Sequence, residues 1–121
     1  MSAVPRRDMP VCDAWLIRAF GLLGKRWNGV ILASLRPGPV GFADLRRAVG
    51  TITDSVLSDR LTELSAEGLV ERSITDSRPP GVTYTLTGAG LAILPILDQL
   101  AAWASGNLAP PAGHPAQQHS G

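Results

Sequence analysis

Cysteine is nearly absent from this chain: Cys12 stands alone among 121 residues. A single thiol excludes an intrachain disulfide and any cysteine-rich zinc site, and it fits a reducing, cytoplasmic compartment. Histidine is almost as scarce. His114 and His119 are the only two, both in a terminal stretch without acidic or cysteine neighbours, so they offer no metal site. The serines in the body of the chain therefore have no histidine base, and no paired-carboxylate or phosphate-loop constellation is present. These absences argue against an enzyme and point to no metal and no cofactor. Long apolar runs are missing too. Stretches such as Leu91 to Leu97 fall well short of the roughly 20 residues that cross a bilayer, and no signal peptide is visible, so no membrane partner is expected. The net charge is only +1, without the excess of a strongly basic nucleic-acid-binding domain. Its distribution is uneven. Residues 1–40 carry Arg6, Arg7, Arg18, Lys25, Arg26 and Arg36 against Asp8 and Asp13, whereas residues 41–80 carry five arginines against seven acids.

The length suits one domain with one core. An apolar fraction of 45% beside 17% charged residues gives more apolar surface than so small a core buries, which points to self-association. Residues 1–10 lack apolar periodicity and are expected to form a flexible arm. The Pro-, Gln- and His-containing segment 109–121 is expected to be a disordered tail.

Between them, residues 11–108, apolar residues from Val11 to Leu23 recur at helical spacing and stop at Gly24. A nearly all-apolar second helix, Asn28 to Leu35, ends at Pro37-Gly38-Pro39 and should be the buried centre. Val40 to Phe42 is either a stub of strand or an extended entry into a third helix, Ala43 to Val49, stopped at Gly50. The clearest helix follows. Thr53 is its N-cap, Asp54 lies in the first turn where the helix dipole favours an acid, and Gly68 stops it. Val56, Leu57, Leu61 and Leu64 mark its core face, with Leu69 beyond the stop, leaving Ser55, Ser58, Asp59, Thr62 and Glu63 mainly on other faces.

Leu69 to Ile74 and Val82 to Leu86 then alternate as strands around a polar turn, Thr75 to Gly81, in which Glu71 and Arg72 read as ordinary outward strand residues. Thr87 caps a last helix, Gly88 to Leu108, apolar around most of its circumference and expected to kink at Pro95. The order is that of an α+β, mainly α, winged helix-turn-helix: Gly50-Thr51-Ile52 is the turn, the helix after it enters the major groove, and the hairpin is a two-stranded wing.

Cys12, Gly24-Lys25-Arg26-Trp27, Phe42-Ala43-Asp44-Leu45-Arg46, Leu57-Ser58-Asp59-Arg60-Leu61 with Leu64, Glu67 to Arg72, and Pro79 to Thr87 with Gly90 together resemble HxlR-type regulators. The resemblance runs from Cys12 to Trp103. It implies a cytoplasmic homodimer of MarR-like architecture, with the first and last helices at the dimer interface, binding a pseudo-palindromic operator in double-stranded DNA; a repressor is the first expectation, and the residues leave an activator open. Thr53, Ser55, Ser58 and Asp59 then become base or phosphate contacts, and Arg60 is either a phosphate clamp or an intramolecular partner of an acid. Arg46 and Arg47 are candidate backbone contacts, Lys25 a further phosphate contact, and Arg78 at the wing tip the minor-groove candidate. Relatives commonly carry a basic residue early in this helix; Asp54 and Ser55 stand here instead.

Some members of the family sense oxidants, quinones or aldehydes through a matching N-terminal cysteine, which makes Cys12 a redox or electrophile sensor candidate. The plain alternative is a small core residue. Trp15, Phe20, Trp27 and Trp103 are first of all core and interface aromatics, and secondly candidates to line a pocket for a small apolar effector. A winged helix that binds a partner protein in place of DNA is the competing function.

Overall fold

The computed structural model describes residues 10–112, with side chains from Asp13 onwards. The expected N-terminal arm, the side chain of Cys12, and His114 and His119 lie outside the described residues. Five helices and three strands follow in the order α1 (Pro10–Leu23), α2 (Asn28–Ser34), β1 (Val40–Gly41), α3 (Phe42–Val49), α4 (Asp54–Ala66), β2 (Val70–Ile74), β3 (Val82–Leu86) and α5 (Gly88–Asn107). The elements read from the sequence are all present. Phe42 joins α3 instead of preceding it, and the stub before it is a real strand: Val40 and Gly41 pair antiparallel with Tyr84 and Thr83 of β3. The wing is therefore part of a three-stranded sheet of order β1-β3-β2, with Val70 opposite Leu86 and Arg72 opposite Tyr84.

The core gathers one face from each element. Ile31 and Leu32 from α2 with Leu35 at its C-cap, Leu45 from α3, and Leu57, Leu61 and Leu64 from α4 are essentially without exposure, closed over by Val70, Leu86 and Leu94. Truncating any one of these leucines would cost roughly 2–5 kcal/mol. An exposed ion pair contributes about 1 kcal/mol or less. The core therefore sets the pose of α4, and surface pairs only adjust it.

Two backbone features fix the ends of α4 and the start of α5. Gly68 takes φ +80 directly after α4, a conformation that L side chains rarely adopt, and turns the chain into β2. Gly90 is buried where a Cβ would run into the carbonyl of Leu69, so α5 packs on the strand entry only because this side chain is missing. Thr87 holds the same corner: its Oγ1 donates to Gly68 O at 2.6 Å and accepts from Gly90 N at 3.1 Å.

The helix α5 continues through Pro95 and corrects one expectation: by length and apolar content it is long enough to cross a bilayer. Its other features oppose that role. Gly90 and Leu94 are seated in the core, and Asp98, at the middle of the helix, pairs with Arg36 at 2.6 Å, a charge that would be costly at a membrane centre. Leu91, Ile96, Leu100 and Trp103 are left largely exposed, as are Trp15, Leu16, Ile17 and Phe20 of α1.

Candidate nucleic-acid interface

Helix α4 starts on its cap: Thr53 Oγ1 accepts from Val56 N at 3.2 Å. With Leu57, Leu61 and Leu64 directed into the core, Ser55, Ser58, Asp59 and Thr62 are left exposed. Thr53 is exposed as well, and its capping bond uses only the acceptor side of the hydroxyl, so its proton is free to donate. The five groups read as contacts on α4 divide accordingly. Thr53, Ser55, Ser58 and Asp59 face outwards, whereas Arg60 is half-buried and 3.6 Å from Glu63.

Among the described residues, most cations outside the hairpin are already matched to acids. Arg46 Nε lies 3.0 Å from Asp54, tying α3 to the first turn of α4, and Arg47 pairs with Asp44 one turn earlier on its own helix. Asp54 thus neutralises a neighbour. The expected anchoring by Arg46 and Arg47 is altered by these contacts: each must exchange a carboxylate for a phosphate. Arg18 pairs with Glu67 and Lys25 with Glu63, both at 2.6 Å, while Arg26 lies 4.7 Å over the ring of Trp27. Among the described residues, Arg72 and Arg78 make no ion pair, and both belong to the hairpin segment, Arg78 exposed in its turn.

Glu63 is the centre of a polar cluster that the sequence did not reveal. Its carboxylate accepts from Lys25 Nζ at 2.6 Å and from Asn28 Nδ2 at 3.4 Å, and faces Arg60. The Lys25 hydrogen bond is the main cause that holds the Glu63 carboxyl below its ordinary value of 4.5, against an opposing contribution from burial. Asn28, fully buried, also donates to Leu22 O at 2.8 Å and so ties the start of α2 to the end of α1.

Arg72 is exposed, as its outward reading expected, but what lies beside it was not legible in the sequence. Alternation along β2 sets it on the same face as buried Val70, and with Tyr84 it lines a cleft of about 370 Å³ against Ser58, Leu61, Thr62 and Ser65 of α4.

The aromatic candidates are distributed differently from a formed pocket. Trp27 packs against the core with φ +83, whereas Trp15 is 70%, Phe20 56% and Trp103 54% exposed. The apolar groove between α1 and α5 is lined by Leu22, Leu23, Leu69, Ile93 and Ile96 together with alanines, not by these rings.

Against this geometry, a model of the HxlR-like helix-turn-helix family matches residues 22–111. The chain belongs to the HxlR-like family. It is a transcriptional regulator of the helix-turn-helix type. The HTH-type transcriptional regulator YodB of Bacillus subtilis is 41% identical over 86 residues, covering 71% of this chain and 77% of YodB. The reduced form of YodB superimposes with a TM-score of 0.71 at 34% identity, covering 91% of this HxlR-like chain and 99% of that one. Quinone-bound YodB matches with a TM-score of 0.67 at 37% identity, over 75% and 94% of the two chains. The redox regulator HypR in its reduced form matches with a TM-score of 0.70 at 32% identity, over 76% and 91%.

Proposed function

We propose that this HxlR-like protein is a cytoplasmic homodimer that binds double-stranded DNA sequence-specifically and represses transcription by occupying a pseudo-palindromic operator. The observation that carries the reading is the outward face of α4, with Thr53, Ser55, Ser58 and Asp59 exposed beside a hairpin whose Arg78 is exposed and unpaired among the described residues. Short hydroxyl and carboxylate groups suit base edges, and an arginine at a wing tip suits a narrow minor groove. Dimerisation is supported by the large apolar side chains left exposed on α1 and α5, among them Trp15, Phe20, Leu100 and Trp103.

Selection of bound fragments from genomic DNA tests this directly. The expected product is an inverted repeat whose half-sites are one helical turn, about 10 base pairs, or a multiple apart. Retention of duplex should fall steeply with salt, each neutralised phosphate adding roughly −0.9 to the log-log slope. Binding that ignores salt and is indifferent to Arg46→Ala, Arg60→Ala and Arg78→Ala would instead favour a protein-interaction module.

A second reading, that the regulator responds to oxidants or electrophiles through Cys12, is favoured by its likeness to quinone-bound YodB and to the redox regulator HypR. With one cysteine in the sequence, the chemistries open to it are an intersubunit disulfide, a mixed disulfide with a small thiol, or an adduct. Two Cys12 thiolates of two protomers form one disulfide, giving two electrons to an oxidant such as diamide, or a single thiolate adds to a quinone ring. Cys12→Ser should abolish release of DNA by diamide and by quinone. Unchanged release in a gel-shift assay sinks the sensor role.

A further inference from the structure

The cleft between α4 and the hairpin brings polar side chains of two elements together around one arginine. On the helix-facing side of the sheet, the cross-strand pairs run outwards from Val70 and Leu86, buried, through Arg72 and Tyr84, to Ile74 and Val82. The apolar face is thus interrupted half-way along by a guanidinium and a phenol. Opposite them, α4 presents Ser58, Thr62 and Ser65, at intervals of four and three residues and hence on one side of the helix, above Leu61. The lining therefore supplies one cation, three hydroxyls and a phenol, with no carboxylate. Glu71 lies on the other face of its strand, and Arg72 makes no ion pair among the described residues. Donors around a cation, without a competing acid, are the chemistry of an oxyanion site.

Position decides which oxyanion. One wall of the cleft begins at Ser58, in the part of α4 assigned to the major groove, and the other is the hairpin that carries Arg78. A duplex read by both elements runs its backbone across the gap between them, and phosphate contacts are the commonest in such interfaces. The cleft is open, and Arg72 is exposed, so a free anion would be held weakly there; the duplex delivers its phosphate at high effective concentration. We propose that this cleft seats one backbone phosphate of the bound operator in each protomer, with Arg72 as its charge partner and Ser58, Thr62 and Tyr84 as hydroxyl donors. This rests on the DNA-binding reading above and adds a contact inward of the wing tip.

The test compares the full chain with Arg72→Gln and Arg72→Lys on a selected operator duplex. For a dimer with two clefts, Arg72→Gln should lower the magnitude of the log-log salt slope by roughly 1.8, twice the single-phosphate value, and weaken binding about tenfold near 0.1 M salt. Arg72→Lys should keep the slope, and Arg36→Gln, remote on the pair with Asp98, should change neither. Thermal unfolding of each variant separates a folding defect from a lost contact. Scanning single methylphosphonates along the operator should then find one position per half-site whose neutralisation weakens the wild type and leaves Arg72→Gln unaffected. A wild-type slope in Arg72→Gln, or a methylphosphonate penalty equal in both proteins, overturns the proposal. Orthophosphate at matched ionic strength forms a separate arm. If it raises the thermal midpoint of the wild type and not of Arg72→Gln while the slopes agree, the cleft serves a free oxyanion and the backbone assignment fails. A wild type that retains no duplex at any salt overturns the regulator reading itself.

Discussion

Glu63 shows how a single carboxylate on the back of a reading helix sets what the front has to work with. It draws Lys25, Asn28 and Arg60 together, and so removes two cations from the set available to DNA while fastening α4 to the start of α2. Replacing it by glutamine keeps the shape and removes the charge. Glu63→Gln should destabilise the protein by about 1 kcal/mol at neutral pH, the scale of a partly exposed charge-assisted network. The sign of its pH dependence follows from the depressed pKa. The carboxylate contributes fully above 4.5 and loses its contribution as pH falls through the lower folded value, so the stability gap between wild type and Glu63→Gln should close below pH 4.5. Chemical denaturation at pH 7 and at pH 3.5 measures both; an unchanged gap would show that the cluster does not depend on the charge. The same substitution frees Arg60 and Lys25, so duplex affinity is expected to rise slightly even as the fold weakens.

At the scale of the element, α4 depends on its first residue as much as on its leucines. Thr53→Ala removes the acceptor for Val56 N and should cost about 1 kcal/mol, whereas Thr53→Asn keeps the cap and should restore most of it. Denaturant midpoints read the cap; any loss of operator affinity that persists in the asparagine variant reads contact of the threonine with DNA. The helices were legible because Leu57, Leu61 and Leu64 repeat at helical spacing between a capping threonine and a left-handed glycine. What escaped has a physical reason in each case. A strand of two residues, Val40 and Gly41, has no period to detect, and it exists only because β3 offers an open edge. The pairing of Lys25 with Glu63 and of Arg18 with Glu67 joins residues 38 and 49 positions apart, which no local pattern encodes. Arg72 was readable as an exposed strand residue, but the α4 side chains across the cleft from it lie on a distant segment that no local pattern encodes. The outward groups of α4 were readable, since they are what remains when the core face is subtracted.

Among the described residues the molecule is asymmetric in its unmet needs: the α4 and wing end presents exposed hydroxyls and, in Arg72 and Arg78, two cations without ion pairs, and the α1 and α5 end exposes large apolar side chains. Association through the second end should make the thermal midpoint rise with protein concentration. Phe20→Glu together with Trp103→Glu should give a monomer by sedimentation and weaken operator binding at least about 100-fold, since one half-site alone forfeits the avidity of two. A variant that stays dimeric would remove these faces from the interface. The placement of the aromatic rings adds a practical consequence. All three tryptophans lie on or beside the helices at the apolar end, and the only tyrosine, Tyr84, lines the cleft between α4 and the wing. The two ends therefore carry different chromophores. Indole resonances and emission follow assembly of the protomers, while a single isotope-labelled tyrosine ring follows occupation of the cleft, so the two binding events can be titrated independently in one unmodified sequence.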